Sequence, residues 1–251
     1  MDRSLRPVND QMTETKAPRS ARGSSSKGKQ ILGSFALGLV ILLGMIGLGL
    51  VIVFSARILY SANIGRWGLE RISGMPREEI LLNYDALMRW CWPWHTAELA
   101  FPTLSMSANG AQHFAECKAL FNFFTLGGAM ALFVGIANIL RMCRTALSPD
   151  TGLEDARSEC RVMTAAGVVS ILIPVVLLLA AAVDFDRTFV LFHKLFFGND
   201  LWIFDYRTDP VILILPETYF LLCAVVISLT VLAGGIAVII MGLRLRKRLD
   251  I

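Results

Sequence analysis

The chain has 251 residues, of which 55% are hydrophobic and 18% charged, with a net charge of +4 and a mean hydropathy of +0.59. An ordinary soluble domain is nearer half apolar and a quarter charged, so this composition excludes a disordered chain and points to a polytopic membrane protein. Five Cys are too few for a disulfide scaffold, and the small, scattered basic surplus does not suit a nucleic-acid groove, so no nucleic-acid partner is expected.

Residues 1–30 place Arg3, Arg6, Lys16, Arg19, Arg22, Lys27 and Lys29 among Ser and Gly, which predicts a disordered tail. The first span, Ile31 to Ser55, is uncharged and long enough to cross about 30 Å of hydrocarbon. It exceeds a signal-peptide core, and no small-residue cleavage site follows closely, so it reads as an anchor. Loop 56–118 comes next. In it Ile80, Leu81, Tyr84, Leu87, Met88 and Cys91 recur at helical spacing. This predicts an amphipathic helix over Glu78 to Trp92 that either lies in the bilayer interface or packs on the spans. Glu98 to Ser107 is a candidate short strand. Ala119 to Leu140 is the second span, and Val162 to Val183 the third, with Pro174 expected to kink it. Loop 184–218 holds a second candidate strand, Val211 to Leu215, and the fourth span runs from Tyr219 to Gly242. Residues 246–251 form a short basic tail.

The fold class expected is therefore an all-α membrane protein with four transmembrane helices over 31–55, 119–140, 162–183 and 219–242. An interfacial subdomain, with room for short strands, would be built from loops 56–118 and 184–218. Of 24 basic residues, 15 fall in the N-terminal tail, the loop between spans two and three (Arg141, Arg144, Arg157, Arg161) and the C-terminal tail (Arg244, Arg246, Lys247, Arg248). The positive-inside rule then puts both termini in the cytoplasm and loops 56–118 and 184–218 outside. Trp67, Trp90, Trp92, Trp94 and Trp202 all lie in those two loops, which fits loops resting on the membrane surface.

All three histidines, His95, His113 and His193, are on that side as well. His95, beside three Trp and a Pro, reads as an ordinary surface residue. His113 precedes span two and His193 follows span three, so four-helix packing can bring them together at the outer surface, where His suits acid–base work near pH 7. Glu116 would share a helix face with His113. The segment after His193 adds Asn199, Asp200, Asp205 and Asp209 in an aromatic setting. Helix-end polar residues are the competing reading. Nucleotide loops, a G-x-S-x-G elbow and H-E-x-x-H do not occur, and the His and carboxylate spacing matches no metal motif, so neither metal nor cofactor is expected. Ser105 and Ser107 are nucleophile candidates without a supporting motif. Cys91 and Cys117 share the oxidising side and can form a disulfide, Cys143 and Cys160 flank the cytoplasmic loop as thiols, and Cys223 lies in span four.

The run FHKLFFGNDLWIFDYRTDPVILILPETYF resembles the signature of a bacterial four-span family, the lipoprotein intramolecular transacylases. Phe192, His193, Phe196, Phe197, Asn199, Asp200, Trp202, Asp205, Leu215, Pro216 and Phe220 occupy the matching positions. The first outer loop is similar too, with Asn83-Tyr84 and Leu87-Met88 on one motif and His113, Phe114, Glu116 and Lys118 on another. The chain departs from the family at Tyr206, where Pro is frequent, and at Cys117, where Val is common.

The resemblance implies an acyltransferase in the bacterial cytoplasmic membrane, acting at its outer face without a cofactor. It would move the sn-2 acyl chain of a diacylglyceryl-cysteine lipoprotein to the α-amine of the same cysteine, leaving a lyso-form N-acyl product. Its partners would be a diacylated lipoprotein and membrane lipid; nothing in the sequence sets the oligomeric state. His113 and His193 would be catalytic, one as general base and the other as oxyanion donor or acid, with the division left open. Glu116, Lys118, Asn199, Asp200, Asp205 and Asp209 would support or orient them. Asn83, Tyr84, Phe192, Phe196, Phe197 and Trp202 would bind substrate. Two other readings stay open at this point: a non-catalytic membrane protein that binds lipid or a partner, and a metal-dependent membrane hydrolase.

Overall fold

The computed structural model describes residues 19–249. Helix α1 (Arg19–Ser55) is followed by short helices α2 (Arg57–Ser61), α3 (Ile64–Trp67) and α4 (Leu69–Ser73), then α5 (Arg77–Trp90). After an irregular stretch come α6 (Ala108–Leu147), α7 (Leu153–Val183), α8 (Phe185–Phe196), a 3₁₀ turn over Pro210–Leu213, and α9 (Glu217–Leu249). Four of these, α1, α6, α7 and α9, are long and apolar enough to cross a membrane, and they contain the four predicted spans.

Two of them end at the predicted residues, Ser55 and Val183, but all overrun the hydrocarbon at other ends. Helix α6 has 40 residues, or about 60 Å, twice the hydrocarbon thickness. Its charge-free part, between Lys118 and Arg141, is the part that fits, so His113 and Lys118 lie beyond the hydrocarbon. At the opposite end the helices continue through charged residues that pair, as Arg157 with Glu154 at 3.4 Å and Arg141 with Glu159 at 3.7 Å. The predicted tail of residues 1–30 needs one correction. It is helical from Arg19 onward, because a nucleated helix extends at low cost through Ser, Lys and Arg. Residues 1–18 and 250–251 lie outside the described residues.

Helix α1 is the centre of the bundle: 56% of its apolar window is buried, against 22% in each of the other three. It lies against α6, α7 and α9, and α7 also packs closely along α9. Lipid-like surroundings supply little hydrophobic drive for helix association, so close backbone approach carries the contact. A Cβ on Gly128 of α6 would stand 2.8 Å from the Gly47 Cα of α1. A Cβ on Gly167 of α7 would stand 2.7 Å from the Gly235 carbonyl of α9.

At the end carrying α2–α5 and α8, a compact apolar cap closes the bundle. Ile80, Tyr84, Leu87 and Trp90 of α5 are buried there with Tyr60, Ile64, Leu69, Val211 and Ile214. The apolar face of α5 therefore packs into this cap, as one of its two alternatives had it. The Tyr60 hydroxyl donates to the Ile214 carbonyl at 2.6 Å, joining the segment between α1 and α6 to the segment between α7 and α9.

Neither candidate strand forms, and there is no strand among the described residues. The alternating pattern of 98–107 reflects Leu99 and Phe101 dipping into the cap. Backbone groups there find side chains instead of a partner strand. The Asn83 carbonyl oxygen accepts from Thr103 N–H at 3.3 Å, and Trp90 Nε1 donates to the Ala97 carbonyl at 2.9 Å. In 211–215, Pro210 at the first helical position starts a 3₁₀ turn. The disulfide that the sequence left open between Cys91 and Cys117 does not form: all five cysteines are free thiols.

Gly128→Leu is expected to force α1 from α6 and lower stability by about 1–3 kcal/mol through overpacking. Adjacent Gly127 has nothing within 4 Å of an added Cβ, so Gly127→Leu should leave the melting temperature in detergent unchanged. Equal shifts for the two variants would contradict this packing.

Candidate active site

His113 and His193 meet. Their ring centroids are 5.9 Å apart, and the residues are 6% and 7% exposed. His113 is placed by the N-terminal end of α6. That helix starts at Ser107, whose hydroxyl accepts the Gly110 N–H at 2.9 Å. His193 is placed by α8, whose first turn is capped by the Asp184 carboxylate accepting the Arg187 N–H at 3.0 Å. Helix α8 is strongly amphipathic: Leu191, Phe192, Leu195 and Phe196 face out, and Phe189 and His193 face in. It follows α7 after a single residue, Asp184, which turns it across the mouth of the bundle.

Aromatic rings enclose both imidazoles. Around His193 stand Phe189 at 4.1 Å, Trp202 at 4.6 Å, Phe192 at 5.4 Å and Phe197 at 5.6 Å between centroids. Around His113 stand Phe197 at 4.8 Å and Phe204 at 5.6 Å. Such a cage penalises the imidazolium form. Burial accordingly pushes His193 below its ordinary value, partly offset by its bond to Phe189. Burial, with the neighbouring His193 adding to it, pushes His113 down to about 4. Both rings are therefore neutral at pH 7, each with one donor and one acceptor nitrogen.

Their partners differ. His193 Nδ1 lies 2.8 Å from the Phe189 carbonyl one turn back, an acceptor only, so Nδ1 carries the proton and Nε2 keeps its lone pair. His113 Nε2 lies 3.3 Å from Cys117 Sγ, while its buried Nδ1 has no hydrogen-bond partner among the described residues.

The supporting residues divide into two groups. Glu116 accepts from Asn199 Nδ2 on both oxygens at 3.1 Å, and from Gln112 Nε2 at 3.2 Å. Asn199 in turn accepts the Leu201 N–H on Oδ1 at 3.1 Å, and its carbonyl accepts Trp202 Nε1 at 3.1 Å. This chain of bonds ties α6 to the loop after α8 and sets the Trp202 ring beside His193. Glu116, expected to orient His113, thus gives its hydrogen bonds to Asn199 and Gln112 and acts on the His113 ring through its charge alone. The second group is more distant. Buried Asp209 accepts the Ser107 N–H at 2.8 Å and the Thr208 hydroxyl at 2.7 Å, anchoring the start of α6. Asp205 is exposed and accepts the Arg207 N–H within a turn, and Asp200 is exposed. The orienting partner of His193 is the Phe189 carbonyl, so a carboxylate role there, expected for Asp200 or Asp205, is corrected.

Lys118 donates to the His95 carbonyl and lies 4.3 Å from the Trp90 ring centroid, holding segment 91–99 against α5. Asn83 and Tyr84 require correction as substrate contacts. Asn83 is fully buried with its amide on Thr103 Oγ1 at 2.7 Å. Tyr84 stacks on Tyr60 at 3.8 Å and its hydroxyl meets that of Tyr219 at 3.2 Å. Ser105 donates to the Thr208 carbonyl at 3.1 Å and Ser107 is a helix cap, so both hydroxyls serve the fold. Phe192 and Phe196 are partly exposed on α8, and Phe197 is buried between the rings. Sequence reasoning missed Phe189, Phe204, Gln112 and the Cys117–His113 contact. Gln112 had a readable signal, its four-residue spacing from Glu116. Among the described residues no three His, Cys, Asp or Glu converge as a metal-ligand group.

A family model for the lipoprotein intramolecular transacylase Lit matches residues 35–220. The chain is similar to the solved in meso structure of the membrane integral transacylase Lit from Bacillus cereus. The identity is 28% and the TM-score 0.72, over 88% of this chain and 98% of that one. Two structures of that protein with a histidine replaced are also similar. The arginine variant gives 27% identity and TM-score 0.70, over 92% of this chain and 98% of that one. The alanine variant gives 28% and 0.69, over 91% and 97%. No curated protein matches the chain. With a match across most of its length, the chain belongs to the lipoprotein intramolecular transacylase family Lit, a family of membrane-integral acyltransferases.

Proposed function

We propose that the chain moves the sn-2 acyl group of a diacylglyceryl-cysteine lipoprotein onto the α-amine of the same cysteine, with His193 as base and His113 as oxyanion donor. The observation that carries this reading is the pair of buried, neutral imidazoles 5.9 Å apart, one with an acceptor nitrogen free and one with a donor nitrogen free.

The α-amine, with an ordinary pKa of about 7.7–8, must be neutral to attack. Its nitrogen adds to the ester carbonyl while His193 Nε2 takes the proton released. The tetrahedral oxygen carries the charge and is met by Nδ1–H of His113, in surroundings where a preorganised donor is worth more than in water. Collapse breaks the carbonyl–oxygen bond to the glycerol sn-2 position, and His193 returns the proton to that oxygen. The amine loses one proton, the alcohol gains one, and an amide replaces an ester. That exchange is downhill, so the reaction needs no activated donor. Amine and ester belong to one molecule, so holding them in register supplies several kcal/mol of the barrier.

The site geometry fits a substrate arriving from lipid. The outward face of α8, with Leu191, Phe192, Leu195 and Phe196, gives acyl chains an apolar surface directly over His193. The same reading puts the histidine end at the outer face of a bacterial cytoplasmic membrane and both termini in the cytoplasm, following the basic residues of the opposite end. The partners are then a diacylated lipoprotein and bilayer lipid, and no cofactor takes part.

His113→Ala and His193→Ala are each expected to lower acyl transfer by about 10²–10⁴-fold, the usual worth of positioned acid–base groups, without loss of membrane insertion. Mass spectrometry of a lipopeptide substrate reads this, and full activity in either variant would reject the assignment. Because burial pushes His113 down to about 4 and His193 below its ordinary value, kcat/KM should rise with pH toward about 8 as the substrate amine deprotonates. An inflection at about 6.5, the value of a solvated histidine, would contradict the dry cage.

A further inference from the structure

Cys117 stands next to the histidine pair, and the reaction leaves it without a task. It is one turn beyond His113 on α6, and its sulfur is 3.3 Å from Nε2 of that ring. By geometry alone the sulfur and the ring nitrogen are each able to supply the hydrogen between them. Burial, with Glu116 adding to it, pushes the thiol up to about 12, so it stays protonated and has a hydrogen to donate. The second observation lies on the far side of the ring. His113 is 6% exposed, and its Nδ1 is buried without a partner among the described residues. Buried polar atoms are nearly always paired, and one that is not calls for an explanation. If Nε2 accepts from the thiol, Nδ1 carries the ring proton and is a donor kept for an acceptor the protein does not provide.

We propose that Cys117 is a positioning residue whose S–H donates to His113 Nε2, fixes the Nδ1–H tautomer, and so readies that N–H for the oxyanion of the transferring acyl group. This rests on the reading of His113 as oxyanion donor. It also gives the thiol a role other than nucleophile. A thiol raised so far above neutrality and spent on a hydrogen bond forms little thiolate, and the amine reaches the ester without a thioester between them.

The test uses the full-length protein with ¹⁵N-labelled histidine in detergent, where long-range ¹H–¹⁵N NMR reports which ring nitrogen carries the proton. The wild type and Cys117→Ser, which keeps a donor, should show His113 protonated on Nδ1. In Cys117→Ala the proton should be shared between both nitrogens. On a diacylated lipopeptide, kcat should fall about tenfold in Cys117→Ala with KM unchanged, the low end of what outer-shell partners of a functional histidine are worth. Cys117→Ser should restore most of that loss. An unchanged tautomer and an unchanged kcat in Cys117→Ala would overturn the proposal. So would inactivity of both variants together with a hydroxylamine-labile acyl group trapped on Cys117 of the wild type, which would make the thiol a nucleophile. An active His113→Ala would instead remove the functional reading itself, so the two failures are told apart.

Discussion

The site depends on one constraint: two imidazoles must be kept side by side, dry and uncharged. Water or a nearby carboxylate on either ring would favour imidazolium, and an imidazolium at the position of His193 cannot take a proton from an amine. The protein meets this by walling both rings with Phe189, Phe192, Phe197, Trp202 and Phe204. It pairs one nitrogen of each ring with an uncharged partner, a backbone carbonyl for His193 and a thiol for His113. Glu116, the carboxylate closest in sequence to His113, is drawn off to Asn199 and Gln112.

That cage is assembled from two segments far apart in the chain, and polar staples hold them in register. Glu116 with Asn199, Asp209 with Ser107, Ser105 with the Thr208 carbonyl, and Tyr60 with the Ile214 carbonyl each cross between the part of the chain before residue 120 and the part after α8. Beneath them the glycine contacts of α1 with α6 and of α7 with α9 set helix spacing, and with it the distance between the helix ends that carry the two histidines. Dense packing at the foot of the bundle and hydrogen bonds at its mouth thus act on one quantity, the separation of the rings.

Much of this was legible in the residues. Uninterrupted apolar runs bounded by charge located all four spans, because hydrocarbon tolerates no unpaired charge and the run length is fixed by its thickness. The grouping of Trp and His in two loops marked the end where His113 and His193 meet. The partners of the rings were not legible. A backbone acceptor such as the Phe189 carbonyl has no side-chain signature, and the glycine contacts require the facing helix to be known. The strands expected at 98–107 and 211–215 failed for a different reason. Alternation at 98–107 records Leu99 and Phe101 dipping into the cap, while Asn83, Trp90 and Pro210 redirect the backbone bonds. Asn83 and Tyr84 were read as substrate contacts because a family motif marks structural residues as readily as functional ones; their burial puts them in the cap.

The central claim, transfer within one molecule between a neighbouring ester and amine, is tested most directly by mass spectrometry of a reporter lipoprotein's N-terminal lipopeptide. The reporter would be made with and without this protein, in a host that lacks any endogenous N-acylating enzyme. Isotope-labelled and unlabelled substrates mixed in one reaction add the needed discrimination. The expected result is conversion of diacylglyceryl-cysteine to N-acyl, monoacylglyceryl-cysteine at unchanged total mass, with no label exchanged between molecules. Products of mixed label, or an unaltered lipopeptide beside fully inserted protein, would contradict the account.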